Sequence, residues 1–393
     1  MSKIGIFGGS FNPPHLGHIQ AARAFQQALA PDLLLLIPSA QPPHKPLAPA
    51  SPDAETRLAL TKIAAQTLKN TEVSDIELRR NGPSYTVDTI TALRERFPND
   101  ELLLLIGTDM LLTFSAWCRP QELARQVTLA VVSRFSDDRE LLRRAAAQLT
   151  QSMQAKVILL ENQVLPISST SVRAMLAFQC AQTYLDAQVL REITARRLYH
   201  TGQSLRTLPF EELSAVSLSL HKPQRVAHVI GCSQTARLLA AQYGADEDDA
   251  SRAGILHDVT KALTPQEQLK LCENYAIITN TFELENPKLL HAVTAAAVAR
   301  NVFGENEAVC EAIRWHTTGR ADMSLLEKII YLADYIEPNR DFDGLEMLRE
   351  KARSSLDEAM LCGLEMTYQQ LQQRGKAVDP CSLAALRFLK EGA

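Results

Sequence analysis

Short aliphatic segments alternate with helix-like segments in the first half of the chain, and this alternation constrains its fold more than any other feature. The candidate strands cover Lys3 to Gly8, Leu33 to Pro38, Glu72 to Glu77, Leu102 to Gly107, Thr128 to Ser133 and Lys156 to Leu160. Such alternation is typical of a parallel sheet with helices on both faces. The sequence therefore predicts an α/β doubly wound parallel sheet for this half.

The strand pattern stops near Gln188, and the remainder of the chain has the pattern of an all-α bundle. From His221 onward, apolar residues recur every three to four positions, and glycines or prolines end each segment. A chain of 393 residues is also too long for one ordinary core. We therefore predict two domains, over residues 1–200 and 213–393, joined by a linker over residues 201–212.

Composition limits the partners and the compartment. Hydrophobic residues make up 46% of the chain and the formal net charge is -4, which indicates a folded protein without a general attraction to nucleic acid. The seven cysteines form no CxxC pair, a pattern that favours reduced thiols. The longest aliphatic runs have the length of strands and are too short to cross a membrane. These features predict a cytoplasmic protein, and they leave open whether it forms a homo-oligomer.

The turn after the first strand, "GGSFNPPHLGH", is a candidate anion site. Its glycines let a ligand approach the backbone, and the following helix directs free N–H groups and its positive dipole end to the same place. A tight turn alone would use the same glycines, but His15 and His18 are spaced to face one point. They could also bind a metal. Because no third ligand lies nearby in the sequence, we favour a phosphate contacted by imidazolium donors.

Basic residues in three later segments extend this candidate site. Lys45 lies beside His44 in the proline-rich loop, and Arg134 follows the fifth strand. In "ISSTSVR", Ser168 and the hydroxyls after it are placed to cap a second helix, and Arg173 can reach back from that helix. Taken alone, Arg173 fits a solvated helix position equally well. Its place after a strand, at a helix N-terminus, favours a phosphate contact.

These segments carry a resemblance to a known superfamily. "GGSFNPPHLGH" together with "ISSTSVR" resembles the HxGH nucleotidyltransferases, which have a Rossmann-like fold, and the matches run in family order from residue 3 to about residue 199. "GPSYTVDT", "IGTDML" and "FSAWCRP" resemble the bacterial nicotinate-nucleotide adenylyltransferases in particular. This resemblance implies that nicotinate mononucleotide attacks the α-phosphorus of ATP, with Mg2+, and yields nicotinate adenine dinucleotide and pyrophosphate.

The resemblance also implies roles for individual residues. The catalytic residues that contact the triphosphate would be His15, His18, Lys45 and Arg173. The residues that contact the nucleotide would be Gly8, Gly9, Ser10, Phe11, Gly107 and Asp109. Thr86 and Trp117 would hold the nicotinate end, with Trp117 stacked on the pyridine ring, although a tryptophan beside an apolar helix is more often part of the core. Phosphopantetheine, the acceptor of other HxGH enzymes, is the alternative, and "SYTVDT" with Trp117 favours nicotinate.

Histidines and carboxylates on five helical segments indicate a metal site in the second half. They are His228, His257, Asp258, His291, His316 and Asp334. A helical bundle can bring such side chains to one interior point, where imidazole and carboxylate suit iron, manganese or zinc. Asp258 could bridge two ions, and Lys261 could pair with Asp258 or with phosphate. His200 and His221 fit no pattern and are expected at the surface.

The order of these residues resembles the HD-domain metal phosphohydrolases. "HDVTK", "LLHAVTAAAVA" and "WHTTGRADMSLLEKIIYLADYIEPNR" are similar to the bacterial YqeK-type symmetrical diadenosine tetraphosphatases, over about residues 210 to 370. The resemblance implies one iron or manganese on His228, His257, Asp258 and Asp334, and a second on His291, His316 and the bridging Asp258.

The same resemblance implies the chemistry of this half. Asp258 and Lys261 would be catalytic, Thr318, Gly319 and Arg340 would contact phosphate, and diadenosine tetraphosphate would be split into two ADP. Two alternatives stay open. This half could hydrolyse another nucleotide phosphoester, or it could be a metal-bound regulatory module without turnover.

Overall fold

The computed structural model of the chain describes residues 1–43, 47–133, 138–161 and 164–391. They divide into two compact units, Met1–Gly202 and Gln203–Ala393. Within these described ranges, no helix combines the length and the apolar character needed to cross a membrane.

The first unit is built on one sheet of six parallel strands. The strands are β1 (Lys3–Gly9), β2 (Leu33–Pro38), β3 (Thr71–Val73), β4 (Glu101–Gly107), β5 (Thr128–Val132) and β6 (Lys156–Leu159). Their order, β3-β2-β1-β4-β5-β6, confirms the predicted doubly wound parallel sheet. The order reverses between β1 and β4, and the carboxyl ends of strands at such a reversal are the usual ligand site of this architecture.

Helices cover this sheet. They are α1 (Leu16–Leu29), α2 (Ala54–Ala65), α3 (Thr86–Arg96), α4 (Thr108–Leu112), α5 (Pro120–Gln126), α6 (Arg139–Met153), α7 (Ser169–Ala177) and α8 (Ala187–Ala195). Because helices pack on both faces, the central strands are continuous aliphatic runs, and Leu34, Leu35 and Leu129 are fully buried. The third strand is shorter than predicted. It is an edge strand paired with β2 alone, and a turn from Asp75 to Leu78 follows it at once.

The second unit is helical, and its described residues contain no strand, which confirms the all-α prediction. Its helices are α9 (Phe210–Leu220), α10 (Pro223–Tyr243), α11 (Glu247–Leu256), α12 (Pro265–Asn274), α13 (Thr281–Glu285), α14 (Leu290–Val298), α15 (Glu307–Trp315), α16 (Leu325–Ile336), α17 (Leu345–Ser354), α18 (Leu356–Gln373) and α19 (Pro380–Glu391). A π-helical turn, Ala299–Phe303, extends α14. Helix α9 begins at Phe210, inside the stretch predicted as a linker.

A glycine lets two helices of the second unit approach closely. A Cβ on Gly254 of α11 would lie 2.6 Å from the Cα of Ser233 on α10, so only glycine fits there without a shift of one helix. Gly254 is one helical turn before His257, and Ser233 is little more than one turn after His228. The close approach therefore places these two histidines on adjoining parts of the bundle.

Candidate active sites

Two segments that are far apart in the sequence meet at the carboxyl end of β1. The Arg173 Nη1 donates a hydrogen bond to the carbonyl of Asn12 at 2.8 Å, and the Ser169 Oγ donates to the carbonyl of Pro13 at 3.2 Å. Arg173 is 8% exposed. Burial lowers the pKa of Arg173 to about 10, against an opposing effect of Tyr199, so the guanidinium stays charged at neutral pH. A buried cation therefore lies against the predicted phosphate turn.

His15 and His18 stack on each other at the start of α1. Their ring centroids are 3.7 Å apart with an interplanar angle of 30°. The backbone N–H of His15 donates to the His18 Nδ1 at 3.2 Å. Because Nδ1 accepts this hydrogen bond, the proton of the neutral ring is on Nε2. A neutral His18 therefore still offers an N–H donor at Nε2, and the imidazolium donors suggested by the sequence stay a prediction.

Open space adjoins two of the predicted nucleotide contacts. Gly8 in β1 and Gly107 at the end of β4 lie on neighbouring strands, and a Cβ on either glycine would meet no atom within 4 Å. Gly9, Ser10 and Phe11 follow Gly8 directly, and Asp109 is exposed in α4. The structure thus leaves room at the strand reversal where a nucleotide was predicted.

The remaining predicted residues of this site have separate positions. Thr86 is the first residue of α3, and Ser168 caps α7, where its Oγ accepts a hydrogen bond from the Ser171 N–H at 3.1 Å. Trp117 is half-buried, with its ring 5.2 Å from that of Phe114. Its packing on the core is compatible with both interpretations of this residue. Lys45, with its neighbour His44, and Arg134 lie outside the described residues.

Arg57 is a residue of this site that sequence reasoning missed. It is completely buried in α2, where its Nη1 donates to the carbonyls of Ser10 and Ser39, both at 2.7 Å, and its Nη2 donates to the carbonyl of Ala40 at 3.2 Å. Arg57 thereby ties the turn after β1 to the turn after β2. The signal in the sequence was an arginine in register with the buried positions Leu60, Thr61 and Ala64 of an amphipathic helix.

Asn12 is a second residue to which the sequence pattern assigned no role. Its side chain accepts a hydrogen bond from the Tyr199 hydroxyl at 2.9 Å and donates one to the Ser51 Oγ at 2.7 Å. Its carbonyl is the one bound by Arg173. Asn12 therefore fixes the predicted phosphate turn through three hydrogen bonds.

In the second unit, the buried Asp258 lies between two pairs of histidines. Its Oδ2 is 3.4 Å from the His257 Nε2 and 3.8 Å from the His228 Nε2. Its Oδ1 is 3.2 Å from the His291 Nε2 and 3.7 Å from the His316 Nε2. Each carboxylate oxygen thus faces a different pair, which is the arrangement that a carboxylate bridging two cations requires.

Asp334 completes the first of these two groups. Its Oδ1 is 3.2 Å from the His228 Nε2 and 3.9 Å from the His257 Nε2. The ligand atoms of His228, His257 and Asp334 all lie within 4.8 Å of one another, as do those of His257, Asp258 and His316. The structure therefore brings all six predicted metal ligands into one cluster.

The Nδ1 atoms of all four histidines face hydrogen-bond acceptors. Three of them face backbone carbonyls three residues earlier: His257 that of Gly254 at 2.7 Å, His291 that of Lys288 at 2.5 Å and His316 that of Ile313 at 2.7 Å. His228 faces the Glu337 Oε1 at 3.1 Å instead. An acceptor at Nδ1 fixes the proton there and turns the lone pair of Nε2 toward the cluster, as a metal ligand needs.

The charges of the cluster suit a divalent cation. Burial alone would raise the pKa of Asp258, but His257, His291 and His316 hold it well below the ordinary range. Burial lowers the pKa of His316 to about 4, so this ring is neutral at pH 7. The buried atoms His228 Nε2, His257 Nε2 and Asp258 Oδ1 make no hydrogen bond within the described part of the chain. A cation would satisfy these atoms, so the residues fit a metal centre.

Three cationic side chains border the cluster. The Lys261 Nζ is 2.8 Å from the His291 Nε2 and 3.6 Å from the Asp258 Oδ1, and Arg340 pairs with Asp334. Arg225 was not predicted from the sequence. It lies on α10, one turn before His228, and pairs with Asp258. These side chains place positive charge at the border of the cluster, where cationic groups can contact an anion.

Thr318 and Gly319 are tied to the C-terminal helix. The Thr318 hydroxyl donates to the carbonyl of Gly319 at 3.1 Å, and the carbonyl of Thr318 accepts from the Ser382 Oγ at 2.7 Å. Gly319 has a φ of 65° and packs near Met323 and Ala385. By contrast, the buried hydroxyl of the neighbouring Thr317 makes no hydrogen bond among the described residues. Phosphate contacts of Thr318 and Gly319 stay predictions.

His221 does not lie at the surface as the sequence suggested. It is 2% exposed at the end of α9, with its Nε2 3.5 Å from the Ser217 Oγ. Burial lowers its pKa to about 3, so the ring is neutral in the folded protein. The prediction was wrong because it rested on the metal motif, and His221 does not fit the spacing of that motif. Its burial depends instead on its position on the buried side of α9. His200 is half-buried.

Comparisons with known proteins agree with this division of the chain. Residues 6–175 match the cytidylyltransferase-like family, and residues 225–339 match the HD domain. A probable nicotinate-nucleotide adenylyltransferase/Ap4A hydrolase of Mycoplasma pneumoniae is 31% identical over 337 residues, which are 85% of this chain and 88% of that protein.

Two shorter relatives each match about one half of the chain. A probable nicotinate-nucleotide adenylyltransferase of Symbiobacterium thermophilum is 35% identical over 205 residues, which are 52% of this chain and 98% of that protein. A symmetrical bis(5'-nucleosyl)-tetraphosphatase of Halalkalibacterium halodurans is 42% identical over 178 residues, which are 44% of this chain and 95% of that protein.

Proposed function

Because the chain belongs to the family of nicotinate-nucleotide adenylyltransferases fused to Ap4A hydrolases, we propose that each unit catalyses one reaction. The first unit transfers the adenylyl group of ATP to nicotinate mononucleotide, with Mg2+ entering on ATP, and releases pyrophosphate. The second unit uses divalent metal, iron or manganese, to hydrolyse diadenosine tetraphosphate to two ADP. The seven cysteines are free thiols, which supports a cytoplasmic setting for both reactions.

The two predicted phosphate-binding segments, "GGSFNPPHLGH" and "ISSTSVR", contact each other at the carboxyl end of β1, and this contact supports the transferase reaction. A phosphate oxygen of nicotinate mononucleotide attacks the α-phosphorus of ATP, and the bond to pyrophosphate breaks. The nucleophile is already an anion, so this chain needs to supply position and charge rather than a strong base. The His18 Nε2–H and the Arg173 guanidinium stabilise the negative charge, and Lys45 is proposed to do the same.

The position of Asp258 supports the hydrolase reaction, because each of its two carboxylate oxygens faces a different pair of histidines. When bound, divalent cations activate water as a nucleophile and neutralise charge on phosphate. His228, His257 and Asp334 would hold one cation, His291 and His316 the other, and Asp258 both. Lys261, Arg225 and Arg340 orient the polyphosphate chain for water to attack one of its two central phosphorus atoms, which gives two equal products.

One pair of assays tests both assignments. The full-length protein is given ATP, nicotinate mononucleotide and Mg2+, and separately diadenosine tetraphosphate with Fe2+ or Mn2+, and the products are separated by chromatography. We expect nicotinate adenine dinucleotide with pyrophosphate in the first mixture and ADP alone in the second.

Parallel reactions test the alternatives. Nicotinamide mononucleotide and phosphopantetheine serve as competing acceptors in the first assay, and faster turnover of either would overturn the nicotinate assignment. In the second assay, AMP with ATP as products would contradict symmetrical cleavage. Metal binding without any product release would instead favour a regulatory module.

A further inference from the structure

We propose that Glu337 is a positioning residue of the metal centre, which holds His228 in the tautomer and orientation that bind the cation. This inference rests on the proposed metal-dependent function of the second unit. Glu337 directly follows α16, three residues after the predicted ligand Asp334, and it is 0% exposed. Its Oε1 lies 3.1 Å from the His228 Nδ1, on the side of the ring opposite to the cluster.

Both oxygens of the Glu337 carboxylate have defined partners. While Oε1 accepts from His228, Oε2 accepts from the backbone N–H of Asn339 and from the Asn339 Nδ2, both at 2.8 Å. The Asn339 Nδ2 also donates to the carbonyl of Ala227 at 3.0 Å, next to His228 on α10. Every group facing the carboxylate is thus a donor, so the carboxylate is fixed as an acceptor on both sides.

Helix α10 has a glycine at the point where this carboxylate enters. A Cβ on Gly231 would lie 2.3 Å from the Glu337 Oε2, which no side chain could tolerate without displacing the carboxylate. Glycine in a helix interior is less favourable than alanine. The space that Gly231 leaves, one turn after His228, is a separate observation that the helix accommodates Glu337.

His228 differs from the other three histidines of the cluster in this respect. His257, His291 and His316 are oriented by backbone carbonyls, which no side-chain substitution removes. Among the four histidines, only His228 has a side-chain acceptor at Nδ1 within the described residues. Because His228 belongs to the group with His257 and Asp334, Glu337 controls one of the two cation positions and leaves the other unaffected.

The variant Glu337→Gln tests this role without a change of size. If the glutamine oxygen faces His228, its NH2 group meets the two donors of Asn339. If the amide is reversed, the NH2 group faces Nδ1 and moves the ring proton to Nε2, where it blocks the cation. Either arrangement weakens metal binding, and loss of such a partner costs about 10- to 100-fold in metal affinity.

The measurement is a titration of the metal-free full-length protein with Mn2+ in competition with a chelator, together with Co2+ absorption as a report on ligand geometry. We expect two cations per wild-type chain. In Glu337→Gln we expect about 10- to 100-fold weaker binding of one cation, an altered Co2+ spectrum and an unchanged affinity for the other cation.

Glu327 offers a matched control on the same helix. It is also buried, at 1% exposed, but it accepts from the Ser324 N–H and from Arg320 at the other end of α16. Glu327→Gln should lower the melting temperature and leave both metal affinities at the wild-type values. Equal metal affinities in Glu337→Gln and Glu327→Gln would overturn the inference.

A glycine variant on α10, with a matched control, tests the contact between Glu337 and His228 from the side of His228. Gly231→Ala displaces the carboxylate and should weaken the same cation, whereas Gly363→Ala on α18 meets its neighbours only at 3.7 Å or more and should not. This pair decides the matter if Glu337→Gln fails to fold. A wild-type protein that binds no divalent cation would instead refute the proposed metal-dependent function itself.

Discussion

Nδ1 of His18 in the first unit and Nδ1 of His257 and His316 in the second face opposite kinds of hydrogen-bond partner. In the first unit, the His18 Nδ1 accepts from a backbone N–H, so Nε2 is a donor suited to phosphate. In the second unit, Nδ1 of His257 and His316 faces a carbonyl, so Nε2 of the neutral ring offers a lone pair suited to a metal. Helix termini explain the difference. His18 lies in the first turn of α1, where N–H groups are free, and the other two directly follow α11 and α15, where carbonyls are free.

The two sites also differ in how charge is buried. In the first unit, Arg57 and Arg173 are buried against backbone carbonyls. In the second unit, the cations Arg225 and Arg340 are paired with the carboxylates Asp258 and Asp334. The arginines of the first candidate site therefore contact backbone oxygens, whereas those of the second are paired with predicted metal ligands.

The largest expected effect is that of Asp258→Asn, because this one residue faces both cation positions. Loss of metal activation removes several kcal/mol of stabilisation, so we expect hydrolysis of diadenosine tetraphosphate to fall by about a thousand-fold. Formation of nicotinate adenine dinucleotide should be unchanged. Both rates are measured by chromatography, and an equal decrease in both would show that the two sites are not independent.

His18→Ala tests the donor in the first unit. Removal of one donor of this kind costs about 100- to 1000-fold in kcat, and hydrolysis by the second unit should not change. His18→Gln places an amide N–H near the position of Nε2 and should retain more transferase activity than the alanine variant. Equal activities of the two variants would argue against a donor role for Nε2.

Arg57→Met tests the contact between the turns after β1 and β2. The substitution leaves three carbonyls without their donor, and each buried acceptor without a donor lowers the free energy of unfolding by about 1 to 3 kcal/mol. We therefore expect a lower stability of the first unit and a lower transferase kcat/KM.

Arg94→Met is the control for this prediction. Arg94 also donates to three carbonyls, those of Phe97, Asp100 and Gln126, but they precede β4 and β5 at the opposite edge of the sheet. It should destabilise the unit without a specific loss of transferase activity once both variants are assayed below their melting temperatures. A similar loss in Arg94→Met would assign the effect of Arg57 to stability alone.

The smallest expected effect concerns pH and His221. The pKa of His221 is about 3 in the folded protein, and an unfolded histidine has a pKa near 6.5, so only the unfolded chain takes up this proton between these values. The free energy of unfolding of the metal-free second unit should therefore fall as the pH decreases through this window. One such proton contributes at most about 1.4 kcal/mol per pH unit.

The two tryptophans allow this measurement in the full chain. Trp117→Phe leaves Trp315 as a fluorescent reporter of the second unit. In this background, His221→Gln should reduce the pH dependence of the free energy of unfolding by one proton, while His316 contributes equally to both proteins. Identical slopes with and without His221 would contradict a buried neutral ring.

Some features could be predicted because their signals are local. The aliphatic run of β2 begins and ends at the predicted residues. Strand β3 was predicted to end at Glu77 but ends at Val73, because pairing rather than composition ends an edge strand. The six metal ligands could be predicted because each lies in one of five short motifs, and the structure brings all six together. Arg57, Arg225 and Glu337 were missed, since nothing beside them in the sequence shows which buried groups they contact.

The sequence by itself determined the two architectures and the candidate residues of the two sites, since periodicity and short motifs are encoded in neighbouring residues. Only the tertiary structure decided that His228 is oriented by Glu337, that Gly231 makes room for this carboxylate and that His221 is buried. The physical reason is that the partner of a buried polar group comes from a distant segment. The burial and hydrogen bonds that fix its proton and its charge therefore exist only after the chain has packed.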